Sequence, residues 1–191
     1  MEKTKCYTRY AIQDMRFRKI LLNSILILIL ALVQTGFISG LPSWFGNFNL
    51  SLIILLFILV MGGLNLSLWW VIGTGTLLDI FSFEPFGTHL FSLVLTIVIV
   101  NFLLVHFFTN RSLYSFLALT FFGSLFYEFF SNSIGYFLSL ILNKVSFLVL
   151  DERFWTGELK QLILNLFGTL ILFYAFNFLS VKLKPVFLIK R

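Results

Sequence analysis

Two carboxylates stand inside runs of hydrocarbon side chains: Asp79, near the end of the stretch Leu50 to Phe83, and Glu128, in the middle of Ser112 to Asn143. An ionisable group held at membrane depth costs free energy, so it marks either a site or a tertiary hydrogen bond. Polar and small residues recur around both acids at steps of three or four. Ile72, Gly75, Asp79 and Ser82 form one such stripe. Thr120, Ser124, Glu128, Ser131 and Gly135 form a second, and Glu158, Gln161, Asn165, Gly168 and Ala175 a third, interrupted by Leu172. In lipid such stripes mark helix contacts, where close packing and interhelical hydrogen bonds replace the hydrophobic drive. They serve equally well to line a binding site. A carboxylate at the C-terminal end of its own helix opposes the macrodipole, so Asp79 needs a partner elsewhere in the fold. The sequence offers Glu128 at similar depth, and His89, Lys144, Arg153 and Lys160 from outer loops.

The elements that must carry these residues follow from length. Leu50 to Phe83 would make a helix of roughly 50 Å, against a hydrocarbon core of roughly 30 Å. It must fold back, with Gly62-Gly63-Leu64-Asn65 as the turn. The chain has 191 residues, 59% hydrophobic and 12% charged, with 26 Phe, and a mean hydropathy of +0.99. Soluble domains carry about 25% charged residues. The expectation is an all-α polytopic membrane bundle of six transmembrane helices, near 20–40, 48–62, 65–83, 88–108, from 112 onward, and 158–181. Residues 1–19 and 182–191 form basic tails around a membrane domain at 20–181. The fifth segment is longer than one span needs, so it either protrudes outward or breaks near Ser131 to Gly135. The apolar stretch Val145 to Leu150 lies at the outer interface.

Charge sets the orientation. Lys3, Lys5, Arg9, Arg16, Arg18 and Lys19 precede the first span, and Lys182, Lys184, Lys190 and Arg191 follow the last. Basic residues stay on the cytoplasmic side, so both termini are expected there, in a multi-pass membrane protein. The net charge of +6 is a signature of membrane lipid headgroups rather than of nucleic acid. Trp44 and Trp155 then fall at the outer interface, and Trp69 and Trp70 at the inner one. The single cysteine, Cys6, excludes an internal disulfide and thiol metal sites. No phosphate-binding Gly loop, no Gly-x-Ser-x-Gly turn and no His-x-x-x-His pair is present, so neither an enzyme nor a cofactor is expected. His106 reads as an interfacial residue.

The run Gly73-Thr74-Gly75-Thr76-Leu77-Leu78-Asp79-Ile80-Phe81-Ser82-Phe83-Glu84-Pro85-Phe86-Gly87 resembles the signature of the rod shape-determining membrane protein family MreD. There a Gly-rich helix ends in Leu-Asp-hydrophobic and a Gly opens the next helix; Gly75, Asp79 and Gly87 are the matching positions. Gln34 at the end of the first span, Glu128 in the fifth and Phe154-Trp155 before the last add weaker matches. The turn at Gly62 to Asn65 lacks the basic residues that many members carry there, and the fifth region is longer. The resemblance implies a non-enzymatic scaffold of the elongation complex, linking cytoskeleton to peptidoglycan synthesis. Its implied partners are the bitopic protein MreC, actin-like MreB filaments and the peptidoglycan synthases. It also implies an architecture like the six-helix substrate-binding subunits of energy-coupling-factor vitamin transporters, which makes transport the alternative function. Those subunits carry Ala-x-x-x-Ala in the first helix, where this chain has Ala31 alone. Gly75, Asp79, Gly87, Glu128, Gln34 and Asn165 are the residues expected to form an intramembrane polar cluster.

Overall fold

A computed structural model describes residues 17–18, 20–42, 45–82, 84–108, 112–141 and 152–187. All regular structure among them is helical: α1 (Ile20–Ile38), α2 (Leu50–Gly62), α3 (Leu64–Phe81), α4 (Thr88–His106), α5 (Leu113–Ile141) and α6 (Glu152–Phe187). Five of these helices are long and apolar enough to cross a membrane, and α2 is the exception. Its 13 residues span about 20 Å, less than the hydrocarbon core. Six full-length spans are therefore not present among the described residues.

The reversal between α2 and α3 takes one residue rather than the expected tetrad. Gly63 has φ +82°, a conformation open to glycine without Cβ strain. Its N–H bonds Leu59 O at 3.0 Å, and its carbonyl accepts from Ser67 N at 3.1 Å. The Ser67 hydroxyl donates to Leu55 O at 3.3 Å, tying the two helices together close to the turn. The fifth segment does not break near Ser131: α5 runs 29 residues without interruption, about 43 Å. Serines in a helix interior can satisfy their hydroxyls against the preceding turn, as Ser133 does with Phe129 O at 2.6 Å. The sixth span expected at 158–181 lies inside a helix of 36 residues, whose spanning stretch is Thr156–Phe178. Val145 to Leu150 lies outside the described residues.

The core is built around α2. Leu52, Leu55, Leu56 and Leu59 pack with Val71 and Leu78 of α3, Leu93, Ile97 and Val100 of α4, and Phe116 and Leu119 of α5. α4 lies between α3 and α5. Large apolar side chains on the other faces, such as Ile25, Ile29, Phe91, Phe102, Phe129, Ile163 and Phe167, are exposed, which is the surface that lipid tails cover. α1 is the least enclosed, with 11% of its spanning window buried. It touches α3 where Ile27 Cγ2 lies 2.9 Å from the point a Gly73 Cβ would occupy.

Two glycines illustrate how tightly neighbouring segments pack. A Cβ on Gly75 would lie 2.8 Å from Leu90 Cα, which is backbone of α4. One on Gly168 would meet the Phe48 ring at 2.5 Å. A backbone atom can retreat only if the whole helix moves, whereas a ring can turn. Gly75→Ala is therefore expected to lower stability by about 1–3 kcal/mol, the usual range for overpacking. Gly168→Ala is expected to cost less. Thermal unfolding of the two variants in the same detergent compares them directly; equal midpoints would remove the α3–α4 approach as the tighter contact.

Candidate functional site

The N-terminus of α4 begins where the chain leaves α3, and its first amides have no partner within the helix. Asp79 supplies one. Its Oδ2 accepts from Gly87 N at 3.0 Å and Leu90 N at 3.2 Å, and its Oδ1 from His89 N at 2.8 Å. Thr88 N is taken by Pro85 O at 3.2 Å, and Phe91 N by Gly87 O at 3.0 Å, which starts the helix ladder. Every amide from residue 87 to 91 is thus accounted for. Gly87, at φ +101°, makes the left-handed turn that swings the chain back over the carboxylate. Asp79, 4% exposed, opposes the dipole of its own helix and complements that of α4, where a negative charge at the N-terminus is favourable. Gly75, Asp79 and Gly87 build one joint: close approach, cap and turn.

The N-terminus of α2 is capped in the same way by two distant helices. Asn49 accepts from Leu52 N through Oδ1 at 3.0 Å. Its own N–H donates to Asn165 Oδ1 of α6 at 3.0 Å. Gln34 of α1 accepts from Ser51 N at 3.2 Å and donates to Phe48 O at 3.0 Å. The last turn of α1, Val33–Ile38, is a π-helix. The wider turn carries Gln34 to this position, and π-turns often accompany such special placements. The Ser51 hydroxyl, fully buried, has no hydrogen-bond partner among the described residues.

A third polar set joins α5 to α6 in antiparallel rungs. Thr120 and Thr169 hydroxyls meet at 3.0 Å. Asn165 Nδ2 donates to Ser124 Oγ at 3.0 Å, and Gln161 Nε2 donates to Glu128 Oε1. Each step advances four residues on both helices, so the stripes face each other in register. Glu158 stands one turn before Gln161 on α6. A cavity of about 100 Å³ lies in this seam, lined by Ser124, Leu125, Glu128, Glu158, Leu159, Gln161 and Leu162.

The six residues expected to cluster therefore fall into three joints. Gly75, Asp79 and Gly87 belong to the α3–α4 turn. Gln34 and Asn165 belong to the α2 cap, and Asn165 continues through Ser124 into the α5–α6 seam that holds Glu128. Asp79 and Glu128 do not pair: each is satisfied by its own neighbours. His89 does reach Asp79, but through its backbone N–H. Its ring lies 2.9 Å from the Tyr127 hydroxyl and 3.7 Å from Glu84 Oε2. Lys144 lies outside the described residues, as does the side chain of Arg153. Two stripe members were misplaced: Ile72 is half exposed and Ala175 is exposed. The drift of a 3.6-residue period carries them off the buried face. His106 is exposed, and its Nδ1–H donates to Phe102 O at 2.9 Å.

Tyr127, Asn49 and Thr169 were not expected in these joints. Asn49 carried a readable signal, an Asn just before an apolar run. Tyr127 sits among Phe residues in the sequence and carried none. Among the described residues no three His, Cys, Asp or Glu side chains converge as metal ligands. Comparison with family models, with curated proteins and with solved structures finds no significant match for this chain.

Asp79→Ala is expected to strip three amides of their acceptor and destabilise the α3–α4 joint by about 2–4 kcal/mol, given about 1–3 kcal/mol for each orphaned buried group with partial relief by relaxation. Asp79→Asn keeps an acceptor and should cost less. Hydrogen exchange at residues 87–90 reads this locally; unchanged protection in Asp79→Ala would dismiss the cap.

Proposed function

We propose that this chain is a non-enzymatic scaffold of the bacterial inner membrane, a member of the rod shape-determining MreD family acting in the elongation complex. The observation that carries this reading is that the three residues of the family-like run, Gly75, Asp79 and Gly87, all serve one helix joint. A signature whose members shape a hairpin suits a protein that presents a fixed surface to partners. A catalytic or transport site asks for polar groups turned toward a substrate; here Asp79 is directed at a helix N-terminus and Glu128 at Gln161. The partners on this reading are a bitopic MreC-like protein, with MreB filaments and peptidoglycan synthases engaged directly or through it.

The membrane topology proposed with it has six crossings. α2 completes its passage by means of the turn preceding Leu50, and both basic tails lie in the cytoplasm. Cys6, the sole thiol, makes this measurable. A membrane-impermeant maleimide applied to sealed spheroplasts should leave Cys6 unlabelled and should label it once the membrane is opened. Labelling in sealed spheroplasts would refute the arrangement.

The functional test is genetic and biochemical together. In a rod-shaped host that depends on this protein, Asp79→Ala should round the cells while the amount of membrane-inserted protein stays normal, since removing a charge eases insertion. Glu128→Gln should have the weaker effect, because a glutamine can still accept from Gln161. Wild-type protein should co-purify with a bitopic MreC-like partner. Normal rods in Asp79→Ala with undiminished partner capture, or co-purification with a pair of soluble ATPases instead, would overturn the scaffold reading.

A further inference from the structure

Two polar side chains of α4, Asn101 and His106, belong to none of the three joints. Asn101 is half-buried inside the spanning stretch, about 7.5 Å short of its end at His106. Its side-chain amide makes no hydrogen bond among the described residues, and an amide left so in hydrocarbon carries a desolvation cost. The His106 ring is fixed by Phe102, whose own ring lies against it with centroids 4.2 Å apart and whose carbonyl takes the Nδ1–H at 2.9 Å. A neutral imidazole that donates through Nδ1 keeps an acceptor lone pair on Nε2. That nitrogen too has no partner among the described residues. Five residues apart on one helix, the two groups point about 140° away from each other. They do not serve one another within a single copy.

Between them runs a stripe of exposed apolar side chains, Phe91, Leu95, Val98, Phe102 and Val105. Its steps of four and three are those of a coiled-coil seam, with Leu95 and Phe102 at a and the other three at d. The opposite face of α4, with Leu93, Ile97 and Val100, is packed into the bundle. Asn101 then falls at g and His106 at e, the positions that flank such a seam. In a parallel pair of helices, g of one chain faces e of the next heptad on the other, which matches Asn101 to His106. We propose that α4 joins two copies of this chain about a two-fold axis normal to the membrane, with Asn101 Nδ2 of each copy donating to His106 Nε2 of the other. Lipid covers an apolar stripe equally well. What calls for a second copy is that one chain carries both an unmet donor and an unmet acceptor, placed so that a two-fold axis satisfies each of them twice. Charge gives every copy the same orientation in the membrane, so helices paired by that axis are parallel, as the match requires. The inference stands apart from the scaffold reading, since it holds whatever other partners the chain has.

The test reconstitutes the full chain in liposomes. Energy transfer between copies labelled at Cys6, the sole thiol, should rise with the protein-to-lipid ratio as a monomer–dimer equilibrium. Asn101→Leu and His106→Leu should each raise the dissociation constant about fivefold to tenfold, the scale of two interhelical hydrogen bonds lost at once. The double variant should be no weaker than either single one, because each change already breaks both bonds. Neither side chain is in the core, so the variants should unfold in detergent at the wild-type temperature, which separates lost association from lost folding. In a Cys6→Ser background, oxidation should link copies through Val98→Cys on the seam and far less through Ile163→Cys on α6, which is also exposed. A monomer at every ratio, undiminished pairing of Asn101→Leu, additive losses in the double variant, or equal linking at the two cysteines would overturn the proposal and leave this face to lipid.

Discussion

A helix that starts inside a bilayer has amides that water cannot reach, and an unsatisfied group there costs several kcal/mol. That constraint organises this protein. α2 is too short to start at the membrane surface if it also reaches the inner side, and α4 starts directly behind a tight turn. Both N-termini are closed by side chains from elsewhere: Asp79 for α4, and Gln34, Asn49 and Asn165 for α2. Among the buried polar residues, Asn49, Asp79, Thr120, Ser124, Asn165 and Thr169 serve this need or the α5–α6 rungs, whereas Thr74, Ser92 and Thr96 bond the preceding turn of their own helices.

The two kinds of joint have different mechanical characters. At the α3–α4 turn a single carboxylate does the capping, and the glycine on either side sets how near the helices come. At α2 the work is divided over three helices, so α1 and α6, the least enclosed members of the bundle, are held to it by polar contacts as well as by packing. Interhelical hydrogen bonds of this type contribute about 0.6 kcal/mol on average in membrane proteins. Their larger effect is on register. A one-residue slip between α5 and α6 would break all three rungs together, since each side chain would face a neighbour that cannot answer it.

The helical class, five of the six expected long apolar segments and the reversal after Gly62 were legible because they depend on length and hydropathy alone. The buried stripes on α5 and α6 were legible for the same reason, since helical spacing puts Thr120, Ser124 and Glu128 on one face wherever the helix goes. Asp79 was legible as an anomaly: a charge in the wrong place on its own helix points to something outside that helix. What it points to was not legible, because the amides of residues 87–90 become acceptor-hungry only when α4 starts behind that turn. The convergence of the polar residues was overestimated, since side chains at equal depth on different helices need not face one another. Tyr127 had no distinguishing mark. Its contact depends on where the His89 ring arrives, which no local pattern encodes.

The bond from Asn49 N to Asn165 Oδ1 joins residues 116 positions apart. A ribosome releases α2 into the membrane long before it has made α6. Throughout that interval the first amide of α2 lacks the acceptor it will finally have, and the seam partner Ser124 of α5 likewise waits for Asn165. α2 can be inserted early but cannot be finished early. α6, made well after α2, is the helix that fixes it, so a chain truncated before residue 165 would leave the centre of the bundle, and not merely its edge, incomplete.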